Sequence, residues 1–161
     1  MSLYTTSSTI TITCHKRITP YLEQEAKDLG FEIEDRFVTG IRLLGTINDC
    51  IKLNLNLRCA SQVLYSLKQF EANDPDAIYQ NLVGYAWETI LPDPGYFSIT
   101  SNVNNPTINN SMYANLRVKD AIVDRLRDKR GTRPSTGSEL TGAVIHLFWK
   151  DEDAEIFIDT S

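Results

Sequence analysis

An α+β fold of two units is what this sequence predicts, on three observations. Segments of β-branched alternation and segments of helical apolar spacing succeed one another without internal repeats. A short polar stretch, Glu71 to Pro75 (E-A-N-D-P), separates two such series. The 161 residues suffice for one large domain or for two small ones sharing an interface. The units are accordingly set at residues 1–70 and 71–161.

In the first unit, Thr9 to Cys14 (T-I-T-I-T-C) alternates β-branched residues and reads as a strand. Thr19 is the expected N-cap of a helix with Pro20 in its first position; Leu22, Ala26 and Leu29 share a face, and Gly30 stops it. Phe31 to Val38 alternates again, and Gly40 turns the chain into a strand at Ile41 to Leu44. Asn48 to Leu57 fits both periods. A helix capped by Asn48 is preferred, because a strand at Ser61 to Phe70 then completes a ferredoxin-like βαββαβ order.

In the second unit, Asp76 to Trp87 carries a helical pattern on Ile78, Leu82, Tyr85 and Ala86. P-D-P-G at Pro92 to Gly95 signals a turn, Tyr96 to Val103 a strand, and Asn104 to Asn110 a polar loop. A helix is expected from Ser111 to Lys129, ending near Gly131. Gly142 to Lys150 and Glu155 to Asp159 read as paired strands joined by the acidic Asp151 to Asp153.

Several function classes are excluded at this stage. No apolar run approaches the roughly 18 to 20 residues of a membrane span. Met1 to Thr9 has neither the basic nor the apolar region of a secretory signal, so a cytoplasmic location is expected. Cys14, Cys50 and Cys59 are widely spaced with no CxxC pair, which indicates structural thiols, with no disulfide framework and no zinc site. His146 stands alone in its strand, and the carboxylates at Asp74–Asp76 and Asp151–Asp153 are loop charges; no catalytic residues and no cofactor-binding motif are assigned.

Charge singles out one element. From Ser111 to Arg133 there are seven Lys/Arg (Arg117, Lys119, Arg125, Arg127, Lys129, Arg130, Arg133) against three Asp, a sum of +4. The whole chain carries −5, so the other 138 residues sum to −9. A positive element on an acidic chain suits a polyanion bound by a local patch, since screening confines its field to roughly 10 Å. The helical wheel puts Met112, Leu116, Ile122, Val123 and Leu126 on one apolar arc with Lys119 inside it.

The same stretch carries a family resemblance. Ser111, Tyr113 and Val118-Lys119-Asp120-Ala121-Ile122-Val123-Asp124, with Arg133-Pro134 after the basic run, resemble THUMP-domain proteins. The likeness is strongest to the bacterial S-adenosylmethionine-dependent guanine-N2 methyltransferases of large-subunit rRNA. Leu29-Gly30, the G-I-R-L at Gly40 to Leu43, Trp87, the turn at Pro94 to Phe97 and the closing I-F-I-D-T-S agree in order. The resemblance implies a ferredoxin-like N-terminal unit packed on a THUMP domain, with family-style boundaries starting the latter near residue 45.

It also implies the function: an RNA-binding module that positions rRNA for a covalently linked methyltransferase domain using S-adenosylmethionine. The family's glycine-rich cofactor loop and N-P-P-Y motif are absent here, so neither cofactor nor catalysis is expected of this chain. RNA contact is expected from Arg117, Lys119, Arg125, Lys129, Arg130 and Arg133, with Asn110 and Tyr113 at the loop–helix junction; no DNA or membrane partner is expected. Simpler readings stand beside these: Lys119 as a snorkelling stem, the helix-exit cations as complements of the helix dipole, Tyr113 as a buried ring, and Lys16 and Arg17 as a solvated helix start. Two other functions remain open, namely a THUMP module of a tRNA methyltransferase or thiouridine synthetase, and a stand-alone protein-binding adaptor.

Overall fold

The computed structural model describes residues 5–91, 96–104, 111–132, 134–137 and 142–161. They fall into two compact units, one ending at Leu67 and taking in Ile158–Ser161, the other Lys68–Phe157.

The first unit runs β1 (Ser8–Thr13), α1 (Thr19–Asp28), β2 (Asp35–Phe37), β3 (Gly40–Gly45), α2 (Ile47–Asn56) and β4 (Gln62–Glu71), the last strand continuing into the second unit. Its strands lie in the order β2-β3-β1-β4. β1 is central and antiparallel to both neighbours: Ile10 stands opposite Leu43 and Tyr65, and Ile12 opposite Ile41 and Val63. This row forms the core with Leu22 and Ala26 of α1 and Cys50 and Leu53 of α2. The βαββαβ order is the expected one, with Asn48 to Leu57 helical where its sequence fitted both periods.

Several local expectations are corrected. Thr19 does not cap α1: Ile18 holds that position without a side-chain bond, and the Thr19 hydroxyl donates to the Val38 carbonyl at 2.8 Å. Gly30 does end the helix, at φ +96°, with the Gly30 and Phe31 N–H groups donating to the Lys27 and Ala26 carbonyls. That use of the Phe31 N–H, and the packing of Phe31 and Ile33 on the core, shorten the strand expected from 31 to 38 to Asp35–Phe37. The cap of α2 is Thr46, not Asn48: Thr46 and Asp49 form a reciprocal capping box. Gly40 is needed for close approach, because a Cβ there would sit 2.2 Å from the Ile12 carbonyl oxygen.

In the second unit, α3 (Pro75–Val83) is capped by Asp74, whose carboxylate accepts the Ala77 N–H at 2.8 Å. It ends at Val83, four residues short of expectation; Trp87 instead opens a 3-10 turn (Trp87–Thr89) and is fully buried, its indole N–H donating to the Leu82 carbonyl at 2.8 Å. There follow β5 (Tyr96–Asn104), α4 (Ser111–Arg130), β6 (Ser135–Thr136), β7 (Ala143–Lys150) and β8 (Asp153–Asp159). The strand order is β4-β8-β7-β5-β6, with β5 parallel to both β6 and β7. The two-residue β6 is too short to show in any periodicity. The turn at Pro92–Gly95 and the loop at 105–110 lie outside the described residues.

Candidate nucleic-acid interface

α4 is twenty residues long and packs against α3, the 3-10 turn and β5. Its buried stripe is Ala114, Val118, Ala121, Ile122, Val123 and Leu126. This corrects the apolar arc read from the wheel: Met112 and Leu116 are 73% and 42% exposed. The alanines permit close approach of the helix, so its first turns bury small side chains and leave the large ones facing outward.

The cations of α4 divide into braces and open charges. Arg125 binds Glu88 of the 3-10 turn through two hydrogen bonds, Nε to Oε2 at 3.0 Å and Nη2 to Oε1 at 2.7 Å. That paired guanidinium holds the Glu88 carboxyl at about 2 against the opposing effect of partial desolvation. Arg130 donates to the carbonyls of Glu88, at 3.1 Å, and Leu91. Two of the expected RNA contacts therefore fasten the 88–91 segment to the end of α4.

Arg117 lies with its guanidinium carbon 4.3 Å from the Tyr79 ring centre and contacts Asp120 at 3.2 Å and Asp76 at 3.4 Å. The Tyr79 hydroxyl donates to Asp124 at 2.6 Å, and Arg127 binds the other Asp124 oxygen at 2.9 Å. The Tyr79 bond, with Arg127 behind it, lowers the Asp124 carboxyl below its usual range. This network ties α3 to α4. Glu88 and Tyr79, absent from any sequence-based reading, are 37 and 45 residues from their partners and left no signal in the chain.

Lys119 and Lys129 differ from these arginines: neither has an ion-pair partner among the described residues. Lys129 is exposed in the last turn. Lys119 is partly buried in a groove of about 380 Å³, walled by Met112, Asn115 and Leu116 of α4, by Phe97 to Ile99 of β5, and by Thr136 and Gly137 beyond. Asn115 sits one helical turn before Lys119, and its side-chain oxygen is buried with no hydrogen-bond partner among the described residues. Tyr113 is not the buried ring of the simpler reading but is 49% exposed. Asn110 and Arg133 lie outside the described residues.

Elsewhere, His146 is buried, its Nδ1 2.8 Å from the Thr100 hydroxyl. The three cysteines are free, and burial pushes the Cys50 thiol up to about 12. Among the described residues no group of His, Cys, Asp and Glu could hold a metal ion, and no helix is long and apolar enough to cross a membrane.

Comparison with known proteins shows the family. Residues 9–64 match the RlmL ferredoxin-like domain, and residues 72–159 match the THUMP domain. The chain belongs to the THUMP-domain family. A relative from Magnetococcus marinus, named Ribosomal RNA large subunit methyltransferase K/L, is 30% identical over 149 residues, which is 92% of this THUMP chain and 21% of the relative. The chain thus spans about a fifth of the length of the curated relatives it matches. Among solved structures, a possible methylase from Clostridium difficile 630 shares the fold at TM-score 0.82 and 24% identity, covering 97% of this chain and 42% of that one. A 4-thiouridine synthetase–RNA complex shares it at TM-score 0.55 and 12% identity, over 94% and 41%.

Proposed function

We propose that this THUMP chain is the RNA-binding module of a large-subunit rRNA guanine-N2 methyltransferase, acting in the cytoplasm and positioning RNA for a linked catalytic domain that uses S-adenosylmethionine. The observation that carries the reading is the pair of open lysines on α4, Lys119 and Lys129, in a fold whose relatives are named as rRNA methyltransferases. An ammonium with no ion-pair partner among the described residues is available to a phosphate, whereas Arg125 and Arg130 already direct part of their guanidinium donors at Glu88 and Leu91. The braced arginines contribute rigidity and field, and the lysines contribute contact. Phosphate contacts of this kind fix the register of an RNA without reading its sequence.

The test is a titration of the chain with a large-subunit rRNA hairpin at low salt, comparing wild type with the Lys119→Glu/Lys129→Glu variant. A tenfold or greater loss of affinity, with unchanged tryptophan fluorescence, supports the reading. Equal affinity of the folded variant sinks it.

A further inference from the structure

We propose that the first unit makes an RNA contact of its own, holding backbone phosphates at one end on Lys16 and Arg17 of the β1–α1 turn, Tyr21 of α1 and Arg58 before β4. The inference rests on the RNA-binding reading above and adds a contact on the ferredoxin-like unit, separate from α4.

Topology gathers these residues. β1 and β4 are antiparallel with Thr13 opposite Gln62, and the Ser61 N–H donates to the Thr13 carbonyl at 2.7 Å. The turn after β1 and the segment before β4 therefore leave the sheet at the same end. Tyr21 lies one helical turn before Glu25 on α1. The Glu25 carboxylate accepts the Arg58 N–H at 3.0 Å and the Cys59 N–H at 2.9 Å, which draws the Arg58 segment to the Tyr21 side of the helix.

Three features of this end point to a polyanion. First, Lys16, Arg17 and Arg58 are exposed, and none has an ion-pair partner among the described residues. On the other side of α1, by contrast, Lys27 and Arg36 both bind Glu23. Second, charge is segregated along the unit. Asp28 closes α1, and Asp49 stands in the first turn of α2 beside Gly45, which pairs with Ser8 at the far end of β1. Glu25, the carboxylate facing the three cations, has both oxygens on backbone N–H groups. Third, Arg17 adopts φ +72°, in a turn closed by the Ile18 N–H on the His15 carbonyl at 3.1 Å. Glycine or asparagine would hold that backbone at less cost, yet the position presents a guanidinium.

The chemistry suits a phosphodiester chain. A guanidinium donates to two phosphate oxygens at once, and a lysine ammonium adds a point charge. Tyr21 is 66% exposed, which leaves its hydroxyl open to donate to a further phosphate oxygen. Such contacts add affinity and orientation without reading sequence.

The experiment uses the whole chain and a labelled large-subunit rRNA hairpin, with the slope of log affinity against log salt as the readout. Lys16→Met/Arg17→Met should flatten the slope by roughly 1.4 to 1.8, whereas the charge-conserving Lys16→Arg/Arg17→Lys should keep it. Arg17→Gly relieves the positive φ, so it should match the wild type in urea unfolding followed by far-UV circular dichroism. It should nonetheless flatten the slope by about 0.7 to 0.9, and it carries the test if the double variant does not fold. A wild-type slope in the folded charge-removing variants overturns the assignment and leaves the RNA reading standing. Failure of the wild type to bind the hairpin overturns the RNA reading itself, and this contact with it.

Discussion

Replacing Glu88 by Gln removes the charge that fixes Arg125, and its cost follows from the geometry. The two hydrogen bonds from Arg125 hold the Glu88 carboxyl at about 2, against an ordinary 4.5. Full linkage of that displacement would be about 3 kcal/mol. The carboxylate side chain is 25% exposed, so solvent screening reduces this to about 1–2 kcal/mol. Because the folded-state value is depressed, the stabilisation is present above pH 4.5 and is lost as pH falls toward 2. Both tryptophans, Trp87 and Trp149, are fully buried in the second unit, so urea unfolding followed by their fluorescence reports the region concerned. Glu88→Gln should be about 1–2 kcal/mol less stable than wild type at pH 7, with the gap narrowing steadily below pH 4.5. A gap as wide at pH 3 as at pH 7, or none at pH 7, would refute the brace.

Two further substitutions probe the first unit, with far-UV circular dichroism as the readout. Thr11 on β1 is 6% exposed and its hydroxyl has no hydrogen-bond partner among the described residues, so the near-isosteric Thr11→Val should raise stability by about 1 kcal/mol; a loss would mean that the hydroxyl is satisfied. Gly40→Ala should cost roughly 2–4 kcal/mol, because the new methyl would meet the Ile12 carbonyl at 2.2 Å and β3 could accept it only by moving off β1; a neutral effect would show that the sheet gives way easily.

Much of the fold was legible because periods of two and 3.6 are local properties. The helix stop at Gly30 and α4 with its end at Gly131 came from such patterns, whereas α2 fitted both periods and was placed by the βαββαβ order it completes. Failures arose where a side chain found a partner, or a size advantage, that periodicity does not weigh. Thr19 has the right chemistry for a cap, but its hydroxyl is taken by the Val38 carbonyl, and nothing near Thr19 announces that. Trp87 continues a helical pattern, yet its indole reaches back to the Leu82 carbonyl and the chain turns. On α4 the wheel weighted large apolar side chains and passed over Ala114 and Ala121, which are buried because they are small.

The candidate site divides in the same way. The excess of charge on α4 was visible by counting, and so was the four-residue spacing of Asn115 and Lys119, although only the lysine had been singled out. What counting could not supply is which cations are already used. Arg125 and Arg130 meet partners 37 to 42 residues away, and Arg117 meets Asp76 and the Tyr79 ring on another helix. Among the described residues the tally thus becomes two open lysines beside four paired arginines, Arg117, Arg125, Arg127 and Arg130.

The salt dependence of RNA binding tests the central claim most directly. Fluorescence anisotropy with a labelled rRNA hairpin, between 50 and 200 mM salt, gives the slope of log affinity against log salt for wild type and for Lys119→Met/Lys129→Met. Each lost phosphate contact lowers the steepness by about 0.7 to 0.9, so removal of both lysines should flatten the slope by roughly 1.4 to 1.8 and weaken binding throughout. An unchanged slope in the folded variant would contradict the account and put the RNA, if it binds, on another face.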